Sequence, residues 1–373
     1  MILLCRISVV LFCLASAGFA QDVNVWVGTT TPRNGLSKGI YRLTLNTETG
    51  KLSKSELAAE MSSPGWVTLS PDGKFLYATG AKGEPVAVAY SIDGSKLKLI
   101  NSQPIGDGGA PHLSMNPTGK FLMSAQYGGG SVAVFPVSDD GSIGARSQLI
   151  EHEGGSKVVG NRQNSPHPHW TGYDPDNKFA LVPDLGLDAV VIYKINHADG
   201  TLISHGVGKC PPGGGPRHMK FHPGGKFVFV LNELALSVTT FAWDTDAGGT
   251  MTPLTTVRTL SEAVKAKESF NSAAEIRVHK SGRFVYSSNR GNDSISVFRV
   301  DESTGALTLL EVEPIRGGWP RNFNIDPTGK WLLAAGRDSN TLSVFAIDQE
   351  TGELEYRRGV AFVPSPICVA FGK

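Results

Sequence analysis

The chain is poor in cysteine and has no surplus of either charge. Of its 373 residues only four are cysteine, and two of those, Cys5 and Cys13, fall within the first 20. The remaining pair, Cys210 and Cys368, is too few for a disulfide framework. There is no CxxC, HExxH or Cys/His cluster, so the sequence calls for no metal and no cofactor. Lys and Arg number 35 against 34 Asp and Glu; setting aside residues 1–20, which hold Arg6 and no acid, leaves 34 against 34. With no basic excess to neutralise phosphates, a nucleic-acid partner is excluded. A GxSxG elbow and a GxxxxGK[ST] loop are also missing. Beyond the N-terminal segment no apolar run could span a bilayer.

Glycine (44) and proline (22) are plentiful, which points to many turns and a β-rich chain. At 40% apolar and 18% charged residues, the chain can build a sizeable core. Residues 1–20 order a positive charge (Arg6), a short apolar run (Ile7 to Leu14) and small residues at Gly18-Phe19-Ala20. This reads as a secretory signal peptide cleaved near Ala20-Gln21, the alternatives being a membrane anchor or a buried strand. A periplasmic or secreted protein is expected, off the membrane after cleavage, with residues 21–373 as a single domain.

One pattern recurs along the chain. PGWVTLSPDGKFLYATG begins at Pro64, and equivalents begin at Ala110, Pro168, Pro216, Ala273 and Pro320. A last fragment, PICVAFGK, begins at Pro366. Successive starts lie 46, 58, 48, 57, 47 and 46 residues apart, the period of propeller blades with four strands each. The short last unit is complemented by Val23 to Thr29, Ile40 to Leu45 and a strand from Leu52 onward. The fold class expected is therefore all-β, a seven-bladed β-propeller whose ring is closed by N- and C-terminal segments sharing one blade. Two repeats are about ten residues longer, through polar insertions near 151–165 and 261–271 that could equally shape a mouth or be solvated loops.

The first residue after each start and the seventeenth should face one mouth of the central channel. Read in order, the polar entries come only from blades three to six: His169, Arg217, Glu233, Arg290, Arg321 and Arg337. Four guanidiniums suit a carboxylate or phosphate, and His and Glu are the usual proton carriers. Arg321 and Arg337 are read as substrate-binding residues, unless they neutralise neighbouring acids. His218 and Glu275, one position further in, are further substrate-binding candidates; their placement on the opposite strand face, with His112, equally suits structural hydrogen bonding. Gly213-Gly214-Gly215 could cradle an anion or simply turn the loop.

The segments at 165–190, 213–238, 273–298 and 319–336 resemble the seven-bladed propeller lactonases, a family that includes bacterial 6-phosphogluconolactonases and fungal carboxymuconate lactonising enzymes. The resemblance covers essentially 22–373. It implies a catalytic His169 (in HPHW), Arg217 (in GPRH), Glu233 (in LNE) and Arg290 (in SNRG). It also implies a metal-independent lactonase, monomeric, acting on a small sugar-acid-type lactone. A muconate-type cyclase is the alternative within enzymes, and a secreted propeller that binds without chemistry the alternative outside them. An export signal sits poorly with a phosphorylated cytoplasmic sugar lactone as substrate.

Overall fold

In the computed structural model, residues 22–246 and 248–372 are described; the segment read as an export signal lies outside them. Seven four-stranded antiparallel sheets form a ring. Six blades are continuous in sequence, and the seventh takes its inner strand from the C-terminus: Pro366–Phe371 pairs with Asp22–Thr29, which pairs with Gly39–Asn46 and then Glu56–Glu60. The closure expected from the termini is thus present. The outermost strand of this blade starts at Glu56 rather than Leu52, which makes only an isolated bridge with Leu45.

The repeated Pro-x-Gly-Lys turn joins the first and second strands of a blade. In the first blade Gly73 donates its N–H to Ser70 O (2.9 Å) at φ +72°, where a side chain would be strained. In the third blade Asn177 takes the place at φ +55°, one of the few non-glycine residues that tolerate it. A second recurrent glycine fixes how blades join. The turn glycine between the third and fourth strands lies under the aromatic ring that opens the second strand of the preceding blade: Gly141 under Phe75, Gly200 under Phe121, Gly352 under Phe284. A Cβ there would come within 2.3 Å of the ring or closer. Of the seven joints only that between the seventh and first blades lacks this plug, since nothing lies near Gly94.

Cys210 and Cys368 are both buried and unbridged. Burial pushes both thiols up, Cys368 to about 12. In a chain beginning at Gln21, titration in denaturant should find two free thiols, and the folded protein should react slowly if at all. Finding none, in a monomer free of reductant, would show that the two are bridged after all.

Candidate active site

The inner strands of the fourth and sixth blades open with a β-bulge, the register shifting between Pro216 and His218 and between Pro320 and Asn322. Bulges re-aim side chains, and these place Arg217 and Arg321 at the mouth end of the axis. His169 is set by irregular pairing, its N–H donating to Pro183 O (3.1 Å). Glu233 follows the second strand of blade four, and Arg290 ends the second strand of blade five.

Glu233 is the hub of the site. Its Oε2 lies 2.9 Å from Arg217 Nε and 3.2 Å from Arg290 NH2, and its Oε1 accepts a hydrogen bond from Arg162 NH2 at 2.8 Å. The Arg217 contact is an ion pair without hydrogen-bond alignment. Arg217 donates instead to Ala274 O, and Arg290 to Ala273 O at 3.0 Å. Burial alone would raise the Glu233 pKa, but Arg290, Arg217 and Arg162 outweigh it and hold the carboxyl at about 2. Burial, then Arg290, lowers Arg321 to about 10. Arg217 is pushed down by burial and then by Arg321 and Arg290, yet a guanidinium stays charged at neutral pH.

His169 is held well below the usual histidine range by burial first and by Arg217, His218 and Arg321 after it. It is therefore neutral at pH 7. Its Nδ1 is sealed and unpartnered, which leaves Nε2 as the nitrogen that can face the cavity.

The cavity at this mouth has a volume of about 510 Å³. His169, Glu233, Arg290, Arg321 and Arg162 line one side, while small residues such as Gly65, Gly80 and Ala110 from the first two blades leave room on the other. Four guanidiniums surround a single carboxylate, so the site is strongly electropositive.

Not every expected residue reaches this cavity. Arg217 is buried behind Glu233 and does not line it. Arg337 is paired with Asp338 (2.6 Å) and lies over the Trp319 ring (4.7 Å), outside the lining. His218 and Glu275 sit deeper, with His218 Nδ1 3.1 Å from Glu275 Oε1 and Asn322 Nδ2 2.5 Å from Glu275 Oε2. They point into the axis, not away from it: His218 of blade four meets Trp66 of blade one and His112 of blade two. This layer plugs the waist of the channel. Bulges cause the difference, between Pro216 and His218 in blade four and between Ala273 and Ile276 in blade five, because one extra residue moves a strand's side chains to the other face.

Arg162 and Tyr127 were missed as site residues. Arg162 belongs to the first insertion, in the 3₁₀ turn Gly160–Arg162. Gln163 pins that loop by donating to Leu185 O (2.9 Å) and Asp188 Oδ1 (2.5 Å), and Arg162 also reaches Tyr127 OH (3.2 Å). Tyr127 stands at a mouth position in the sequence, but a phenol is not one of the Arg, His and Glu types that mark the arc. The second insertion brings Phe270 to stack on Trp319, beside Arg290. In the glycine run, Gly213 and Gly215 donate to Asp188, so the chain's own carboxylate fills that cradle.

Residues 24–371 match the family described as Lactonase, 7-bladed beta-propeller. The chain is 36% identical over 350 residues to the 6-phosphogluconolactonase of Bacillus subtilis, covering 93% of this chain and 97% of that protein. It is 33% identical to the 6-phosphogluconolactonase of Formosa agariphila, over 82% of this chain and 86% of that one. Among solved structures, the periplasmic gluconolactonase of Pseudomonas aeruginosa superposes with a TM-score of 0.86 at 30% identity, covering 95% of this chain and 99% of the other.

Proposed function

The chain belongs to the seven-bladed β-propeller lactonase family, and from that premise we propose that it hydrolyses sugar-acid-type lactones in the mouth cavity. The observation that carries the reading is the set of four guanidiniums around one carboxylate, with a neutral histidine on the cavity wall. Lactone hydrolysis builds negative charge on the carbonyl oxygen as water adds to the carbonyl carbon. Arg290 and Arg321, fixed by the fold before substrate arrives, stabilise that oxyanion. Arg162, partly exposed at the rim, receives an acidic group of the substrate. His169 takes the proton from the attacking water; when the tetrahedral intermediate collapses and the ring C–O bond breaks, the imidazolium returns it to the leaving oxygen. Glu233 is too firmly ionised to act as the base and instead spaces and orients the arginines. Arg217 positions Glu233 from behind.

The N-terminal signal-like segment and the likeness to a periplasmic gluconolactonase support an exported enzyme working on unphosphorylated lactones. The test is proton release from a panel of aldonolactones, uronolactones and 6-phosphogluconolactone, with and without chelator. Turnover that survives chelator is expected; no turnover on any lactone would overturn the reading, and turnover confined to the phosphorylated lactone would overturn the exported role.

Arg290→Ala should lower kcat by about 10²–10³ with the fold intact, since it removes one preorganised donor. Arg337→Ala should change turnover little, because Arg337 is held by Asp338 away from the cavity. Equal damage from both variants would show that the site is placed wrongly.

A further inference from the structure

A second cavity of about 620 Å³ opens at the opposite mouth of the channel, below the plug of axial side chains. It contains none of the arginines around Glu233. Its floor is the plug layer, with the rings of Trp66, His112 and Trp170. One turn of the strand pleat further out, equivalent positions of the inner strands supply Thr68, Ser114, Gly172 and Asn324, which leave space, and two cations, Lys220 and Arg277.

These two cations are under-used. Among the described residues Lys220 makes no hydrogen bond or ion pair; its ammonium lies 4.7 Å over the Trp170 ring. Arg277 Nε is buried without a partner, and its NH1 is 3.4 Å from Glu275 Oε1. That carboxylate is already engaged by His218, Asn322 and the Ile276 N–H. Burial, then Arg277, pushes the Lys220 ammonium down to about 7, against smaller opposing effects of Glu275 and Cys368. A cation held so weakly gains most from an added anion.

We propose that this second cavity binds a small carboxylate carried on a flat or apolar ring. The carboxylate would lie between Lys220 and Arg277, and the ring against Trp66 and Trp170. With Lys220 protonated, two cations against Glu275 leave one positive charge, which a monoanionic carboxylate balances and a phosphate dianion exceeds. The rings supply the apolar walls that small-molecule sites show, with few polar groups to fix orientation. The site is separate from the reaction cavity and does not depend on the lactonase reading.

The test is titration of the purified protein with benzoate, followed by calorimetry and by the tryptophan indole N–H signals in NMR. Saturable binding at one site per chain is expected, moving the Trp66 and Trp170 signals and leaving that of Trp319, at the other mouth, unmoved. Benzyl alcohol, with the ring but no charge, should bind at least about tenfold more weakly, as should benzoate to Lys220→Met, which loses a charge-assisted hydrogen bond and keeps the apolar stem. Lys220→Met should retain the wild-type melting temperature and lactone turnover. Benzoate binding unchanged in Lys220→Met, or signals moving only at Trp319, would overturn the proposal. If Lys220→Met does not fold, the wild-type indole shifts and the benzyl alcohol comparison decide.

Discussion

His169→Gln is expected to lower kcat by about 10²–10⁴, the usual contribution of a positioned proton carrier, while the protein melts as the native chain does. Glutamine keeps a polar group near the place of Nε2 but cannot take up a proton. The charged groups lining the cavity cannot replace it: Glu233 is held at about 2 by its three arginines, and the guanidiniums keep their protons at neutral pH. The same assignment fixes a pH dependence. Because burial and the neighbouring cations hold His169 well below the usual histidine range, it stays unprotonated as pH falls through 6.5, the ordinary histidine value. Activity should therefore hold through that point and be lost only at lower pH, when the base is protonated. The rate measured across pH in native protein and variant checks both statements. Near-native turnover in His169→Gln, or an acid limb centred above pH 6.5, would remove His169 from the mechanism.

Deleting residues 366–373 should abolish cooperative folding of the ring rather than loosen one edge. The segment pairs along Asp22–Thr29 from Phe371 against Val25 to Pro366 against Thr29. It also fastens the two flanking blades. Val369 N donates to Asn322 Oδ1 and Asn324 Nδ2 to Val369 O, both at 2.9 Å, while Val67 N lies 3.5 Å from Cys368 Sγ. Ile367, Cys368 and Val369 are buried, at about 1.5–3 kcal/mol for each fully buried aliphatic side chain. Together with the lost pairing, that approaches the roughly 5–15 kcal/mol by which a folded domain is stable. The deletion also acts beside the one joint that lacks an aromatic ring packed on a glycine. Circular dichroism melts and gel filtration test this. A truncated protein that melts within a few degrees of the native one would contradict the closure argument.

Much of this was readable from the sequence because it is local. Each turn signals itself through glycine at a positive φ or Asn177 in its place, and each strand through its apolar character. Seven such units at a steady period leave one closed arrangement, and the eight residues after Ser365 show where it closes. The gathering of His169, Glu233, Arg290 and Arg321 followed from the same register, since residues at one end of equivalent hairpins must share a mouth. Glu56 as the true start of the outermost strand of the closing blade was not legible, because an edge strand has a partner on one side only and its apolar pattern is weak.

What the tertiary structure alone decided lies where a side chain's direction depends on something distant. Bulges shift the facing of inner-strand residues, between Pro216 and His218 in blade four and between Ala273 and Ile276 in blade five, so His218 and Glu275 turned inward to plug the axis and Arg217 settled behind Glu233. Arg162 reaches Glu233 only because Gln163 ties its loop to Asp188, a contact between segments 25 residues apart. The sequence by itself determined the ring, its closure and the charged arc, because short-range turns and a fixed repeat dictate them. The three-arginine clamp on Glu233 and the second cavity, with Lys220 over the Trp170 ring, were decided by packing, since they exist only once blades distant in the chain meet across one axis.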